Sequence, residues 1–401
     1  MKKGIVGSAF RHGGLYLFLG VACGVLGTLF SKGVSYVTEI RLAKPYLLFF
    51  LPLAGLASVF LCRSLKVDGM GTNQVIKSTG RQNVLSPNLA PAVFFSSLLS
   101  HLCGASVGRE GAALQLGGSS AVLLAKGFRV SRKTEKVLIY CGMAGVFSSV
   151  FGTPFAAAVF ALEVVFVGHL YYHAIGPVWI TSFVSFGTAR LLGAHAERFA
   201  LTEVPDGSIS VLRNVILLSF ATVLLGIVFC HALEFSEKLF EKRCKNPFLR
   251  IAVGGAAIVL LTVLAGTYDY NGAGIHVIER IFHSGEVAPG AFLWKLLFTC
   301  LAVGAGFKGG EIVPTLFIGA AFGALVGTRL GLPAACSAAI SMIALFCGVT
   351  NCPLASVLLA AELFSGKGIG YILPSVVISY CLSGRISLYT AQKTSGFKNL
   401  F

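Results

Sequence analysis

The sequence predicts an all-α integral membrane protein made of two repeats joined by a short polar connection. Three observations predict it. Of 401 residues, 55% are hydrophobic and only 12% charged, with a mean hydropathy of +0.82, whereas roughly a quarter of a soluble domain is charged. Apolar segments come in two lengths, some sufficient for a bilayer crossing of roughly 20 helical residues and others clearly shorter. Finally, Thr153 to Glu163 can be laid over Cys352 to Glu362, with proline and glutamate at the same spacing in each.

The elements follow in order. Leu15 to Tyr36 comes after the basic residues Lys2, Lys3 and Arg11. It runs past Cys23 without a polar break and reads as an uncleaved first helix. Tyr46 to Cys62 is a second span, followed by the polar junction Asp68 to Gln74 and the short segment Pro91 to Cys103. Gly108-Arg109-Glu110-Gly111 then opens another short segment, Ala112 to Ala125. Such lengths fit half-crossing helices shielded by protein. Arg129, Arg132, Lys133 and Lys136 precede the Pro154 to Glu163 segment, and Ala194 to Ser210 forms the connection. The second half offers the spans Val211 to Leu233, Ile251 to Tyr268 and Gly290 to Phe307. Gly309-Gly310-Glu311 then opens Ile312 to Gly327, before the short segments Cys352 to Phe364 and Tyr371 to Leu382 and the junction Ser383 to Tyr389. Glu110 and Glu311 share nearly the register of Glu163 and Glu362. We therefore expect one transmembrane domain over 1–401, with repeats at about 12–195 and 211–385. An odd number of crossings per half would invert the second copy, and the sequence leaves that parity open.

The net charge of +16 resides in clusters at segment edges, including Lys238, Lys242, Arg243, Lys245 and Arg250. This is the pattern of cytoplasmic loops rather than of a nucleic-acid interface. Eleven cysteines without CxxC pairs act as small hydrophobes, so neither a metal nor a disulfide framework is expected. Glycine-rich junctions that open helices present unpaired N–H groups and a positive dipole end, which makes an anion the expected substrate. The same glycines also suit close helix packing. Glu110 is one of only sixteen acidic residues. An ionisable group at membrane depth is costly and marks an ion or proton pathway. Beside an anion site, a carboxylate competes for that site when ionised and leaves it when protonated, coupling anion to proton. Glu163 and Glu362 read as capping or interfacial residues, and Lys308 with Glu311 as a structural pair. An intramembrane enzyme would need a nucleophile, metal cluster or second carboxylate at defined spacing, and none is present, so no catalysis and no cofactor are expected.

Together these residues resemble the CLC family of anion channels and proton-coupled antiporters, over nearly the whole chain. Gly108 to Gly111 is similar to the family's G-[KR]-E-G-P motif, with Ala112 in place of proline. Gly310 to Pro314 is similar to G-x-F-x-P, with Ile312 in the phenylalanine position. Tyr389 matches the tyrosine of the last short helix that faces the anion, and Pro154 to Glu163 matches the helix ending in an acidic pair. Three departures resemble the bacterial fluoride/proton antiporter branch: Met70 replaces a chloride-contacting serine, Val164 replaces the second acid, and no cytoplasmic CBS domain follows Phe401. The Gly306 to Glu311 string also resembles that branch. Val313 departs from it, since a threonine is usual there, and either Thr315 would have to substitute or the step would run without it. The resemblance implies two inverted-topology repeats with many tilted, broken and half-spanning helices, and a homodimer in the bacterial inner membrane that expels fluoride in exchange for protons. Glu110 would be the gate and proton carrier. Anion binding would fall to Gly69, Met70, Gly71, Thr72, Asn73, Gly108, Arg109, Gly111, Gly310, Glu311, Ile312, Val313 and Tyr389. The alternative is a chloride or nitrate transporter, or a passive channel, of the same fold.

Overall fold

The computed structural model describes residues 2–80 and 85–394, excepting the side chains of residues 2–12. The basic side chains of Lys2, Lys3 and Arg11 and the segment ending at Phe401 thus lie outside the described residues. Among the described residues there are sixteen α-helices, eight in each half. The first half contains α1 (Lys2–Ala43), α2 (Leu51–Ser64), α3 (Thr72–Ser78), α4 (Leu89–Leu102), α5 (Glu110–Gly127), α6 (Arg132–Phe151), α7 (Pro154–Glu163) and α8 (Ile175–Leu191). The second contains α9 (Ile209–Arg243), α10 (Pro247–Ala265), α11 (Ile275–Ser284), α12 (Ala291–Ala305), α13 (Ile312–Arg329), α14 (Ala334–Thr350), α15 (Pro353–Leu363) and α16 (Ile369–Leu382). Two residues of β1 (Phe166–Val167) pair in parallel with β2 (Lys393–Thr394) and fasten the end of the second half beside α7.

The halves repeat each other in packing as well as in order. α1 lies against α6 and α8 as α9 lies against α14 and α16, and α5 pairs with α6 as α13 pairs with α14. The pairs α5/α6 and α13/α14 form the centre, buried over most of their length. Around them, α1, α2, α9 and α10 present exposed apolar side chains such as Phe18, Phe60, Leu224 and Leu264 to lipid.

α9, with 35 residues, is roughly 50 Å long. It runs from the connection between the halves down to the basic cluster Lys238 to Arg250, so the connection lies on the outer side. α1 runs the opposite way, because Lys32, in its C-terminal third, donates to the Leu192 carbonyl at the start of that connection at 2.8 Å. The repeats are therefore inverted.

The inversion is fastened by one pair of short helices. α7 and α15 each begin with proline, which has no N–H to satisfy and a pre-set φ. Each ends near a glutamate that caps the other. Glu163 accepts from the Leu354 and Ala355 amides at 3.2 and 2.8 Å, and Glu362 accepts from the Phe155 and Ala156 amides at 3.1 and 2.8 Å. Only antiparallel helices can exchange caps in this way. The capping role expected of both glutamates is thus met, with the partner helix as recipient.

Three expectations need correction. The span expected at Gly290 to Phe307 is a 15-residue helix, because Gly306 turns into the left-handed region at φ 100 and ends it. The segment expected to be short at Ala112 to Ala125 opens at Glu110 and runs for 18 residues. Tyr389 does not lie in a helix. It sits in irregular chain beyond α16, with Leu388 N bonded to the Val349 carbonyl at 2.8 Å and Ala391 N to Asn73 Oδ1 at 3.0 Å.

Candidate functional site

The two glycine motifs meet backbone to backbone. Gly108 N donates to the Gly310 carbonyl at 2.5 Å and Gly310 N to the Gly108 carbonyl at 2.7 Å, an isolated antiparallel bridge between the repeats. α5 and α13 therefore begin at one place, bringing two helix N-termini together at the centre of the protein. Their glycines are required by space. A Cβ on Gly108 would sit 2.6 Å from Glu110 Oε2 and 3.1 Å from Pro314 Cδ, and one on Gly111 would sit 2.8 Å from Gly310 Cα. Here close packing and the site are one device, since the glycines that let the repeats touch also make room for the carboxylate.

Glu110 is 1% exposed. Its Oε2 accepts the Arg109 amide at 3.0 Å, and its Oε1 lies 3.7 Å from Arg109 Nε. Arg109, itself buried, also donates to Ser31 Oγ at 2.9 Å and to the Glu197 carboxylate. Beside this group, on the outer side, a cavity of about 10 Å³ is lined by Arg109, Glu110, Glu197, Phe151, Phe199 and Val313. That is about the room one water occupies.

On the inner side a vestibule of about 410 Å³ reaches inward to Lys77, Glu241 and Arg250. Its walls include the expected residues Gly69, Met70, Gly71, Thr72, Asn73, Glu311 and Tyr389. The Tyr389 hydroxyl is buried and has no hydrogen-bond partner among the described residues. A buried hydroxyl in that condition is costly unless a ligand or water completes it. Glu110 lines the one-water pocket and not the wide vestibule, whose wall includes Glu311 of the facing motif.

The structure thus brings the expected residues to one region but divides their positions. Gly108, Gly111 and Gly310 form the contact between repeats. Arg109 and Val313 lie on the outer side with Glu110, and Ile312 is buried at the start of α13, lining neither cavity. Asn73 spends its Oδ1 on the segment bearing Tyr389. The Thr315 hydroxyl donates to the Glu311 carbonyl of its own helix at 2.7 Å and lines neither cavity. Lys308 does not pair with Glu311. Its Nζ reaches the Met70 carbonyl at 2.6 Å and ties the first-repeat junction to the second. Gln115, unforeseen from the sequence, lines the vestibule and donates to Thr72 Oγ1 and to the Gly111 carbonyl at 3.2 Å each. Its only signal was a lone side-chain amide in a mostly apolar helix.

Inverted repeats that join at helix N-termini around a buried carboxylate define a membrane transport protein. Residues 54–384 match the family model described as voltage gated chloride channel. The chain belongs to this family, the CLC family. A chloride/fluoride channel protein of Pseudomonas syringae pv. tomato is 32% identical over 385 residues, covering 94% of this chain and 85% of the relative. An H(+)/Cl(-) exchange transporter of Vibrio cholerae is 26% identical over 398 residues, covering 91% and 84%. Among solved structures, a CLC-type fluoride/proton antiporter superposes with a TM-score of 0.90 at 30% identity, covering 96% of this chain and 98% of the other. A slow cyanobacterial Cl-/H+ antiporter shares the fold, with a TM-score of 0.81 at 20% identity.

Proposed function

We propose that the protein is a secondary active transporter that exports fluoride in exchange for protons, with Glu110 as the group that gates the anion and carries the proton. The observation carrying this reading is the burial of Glu110 where α5 and α13 begin, on the small outer pocket, with the vestibule that Tyr389 lines on the inner side. The chemistry suits fluoride, a small anion and strong acceptor whose lost water must be replaced by donors. The free Tyr389 hydroxyl and the helix N-termini of α3, α5 and α13 supply them. The Gly69 to Asn73 junction and Glu311 shape the inner end of the path, while Arg109 and Val313 shape its outer end. Met70 offers the anion no side-chain donor where a serine would hold chloride. The likeness to the fluoride/proton antiporter supports the same assignment.

In this cycle an ionised Glu110 occupies the anion position. An outer proton neutralises it and frees it to swing aside, fluoride passes outward, and the proton leaves inward when the carboxylate is released on the other side. We place the protein in the bacterial inner membrane as a homodimer with one pore per subunit. The test is reconstitution into liposomes loaded with fluoride, followed by fluoride and pH electrodes together. The expected result is fluoride release with stoichiometric proton movement and little chloride or nitrate flux. Release without proton movement would establish a passive channel, and chloride or nitrate flux at the fluoride rate would refute the selectivity.

A further inference from the structure

The connection between the repeats is more than a linker. Of residues 192–208, the stretch Ala196 to Phe199 borders the outer end of the site, fixed at points belonging to both halves. The Glu197 amide donates to the Phe151 carbonyl at the end of α6 at 3.1 Å, and the Phe199 amide to the Leu363 carbonyl at the end of α15 at 3.0 Å. The Phe199 ring stacks on Phe282 of α11 at 5.0 Å, and the strap backbone at Ala196 lies directly on Gly152. This anchoring aims one carboxylate, Glu197, at Arg109.

Exposure falls along the group that results. The side chain of Glu197 is 23% exposed, that of Arg109 8% and that of Glu110 1%. Glu197 therefore meets outer water, while Glu110 meets only protein and the one-water pocket that both carboxylates line. One guanidinium faces two carboxylates, and the Arg109 Nε, with no other partner, points along the Glu110 side. The set lacks one positive charge, which a single proton supplies. The other charged groups around Glu197 are Glu279 of α11, a further carboxylate within electrostatic range, Lys32 of α1 at the start of the strap, and His195 and Arg198 on the strap itself. None of these lines the small cavity.

We infer that Glu197 is the outer proton station of the exchange cycle, receiving protons from the outside and positioning Arg109 between itself and the gate. The inference rests on the exchange proposed above. A hydronium ion of the outer solution gives its proton to the Glu197 carboxylate, leaving water and releasing Arg109 from it. The proton then crosses to Glu110 through the water-sized pocket, and Glu197 returns to its ionised form paired with Arg109. No other bond is made or broken.

The test uses right-side-out membrane vesicles loaded with fluoride, carrying the full-length wild type, Glu197→Gln or Glu197→Asp. Fluoride release and proton uptake are followed while the outer pH is stepped and the inner pH is held. Wild type and Glu197→Asp should exchange faster as the outer pH falls. Glu197→Gln keeps the shape and an acceptor for Arg109 but cannot hold the proton. It should slow exchange at least about tenfold at neutral outer pH, at or below the lower end of what a positioned proton-transfer group contributes, and should lose the dependence on outer pH. A Glu197→Gln protein with the wild-type rate and pH profile overturns the inference. So does one slowed equally at every outer pH, since a structural role would do that. Wild-type fluoride release without proton uptake refutes the exchange itself, and this inference with it, whereas wild-type exchange beside an unaltered Glu197→Gln refutes the inference alone.

Discussion

Replacing Glu163 with alanine removes the cap from α15 and tests whether the exchanged caps hold the repeats together. Two amides, at 3.2 and 2.8 Å from the carboxylate, lose their acceptor. A hydrogen bond to a charged group contributes about 1.5–3 kcal/mol, and a carboxylate at a helix N-terminus adds about 0.3–1 kcal/mol. Two effects reduce the sum. The buried carboxylate itself costs free energy to desolvate, and a cavity of about 350 Å³ lined by Glu163, Pro353 and Leu354 lets water replace it at the freed amides. The expected loss is about 2 kcal/mol for Glu163→Ala and about 1 kcal/mol for Glu163→Gln, whose amide oxygen still accepts. Glu362→Ala should cost a similar amount. The two caps lie seven to eight residues apart along α7, roughly 10–12 Å, so the double variant should be additive within about 0.5 kcal/mol. Denaturant unfolding in detergent, followed by tryptophan fluorescence, reads this directly, because Trp179 stacks on Phe183 and meets Phe155 of α7 edge-on. A Glu163→Ala protein as stable as wild type would refute the reasoning, since the amides would then need no cap from the other repeat.

Three further outcomes follow from the site. Tyr389→Phe removes a hydroxyl with no partner among the described residues, so stability should hold while anion affinity falls by about 1.5–3 kcal/mol, roughly 10- to 100-fold; isothermal titration with fluoride measures both the loss and its sign. Gly108→Ala drives a methyl group into the Glu110 carboxylate, with the bridging Gly310 carbonyl only 3.2 Å away. Transport should fall at least about tenfold, equivalent to only ~1.4 kcal/mol of displaced gate, in a protein that still elutes as wild type from a sizing column. Glu110→Gln should abolish proton movement while an anion path persists, read with paired ion and pH electrodes; continued coupling would refute the role assigned to Glu110.

Much of the fold was legible because it is written in local pattern. Segment length and the matched spacing of Pro154 with Glu163 and Pro353 with Glu362 fixed the repeat, and basic clusters at segment edges gave the orientation. The region of the site was legible too, since a glutamate among glycines stands out in so apolar a chain. What stayed hidden depends on contacts between distant residues. Nothing near Lys308 indicates that its partner is the Met70 carbonyl, 238 residues away, so Glu311, three residues on, looked like the natural choice. Glu197 sits in a polar connection where a carboxylate is unremarkable, and only the path of the strap brings it to Arg109. The helix expected around Tyr389 failed for a similar reason, because Asn73 and Val349 hold that segment through tertiary hydrogen bonds that compete with helical ones.

The exchanged caps also set an order of events during synthesis. When α7 leaves the ribosome its first amides have no acceptor, because Glu362 lies 207 residues beyond Phe155. At ~5–20 residues per second this wait lasts roughly 10–40 seconds. Throughout that interval the half-made chain must hold Glu163 and the bare start of α7 where water or the insertion machinery can satisfy them. α7 is therefore among the last helices to settle, although the chain places it in the first half.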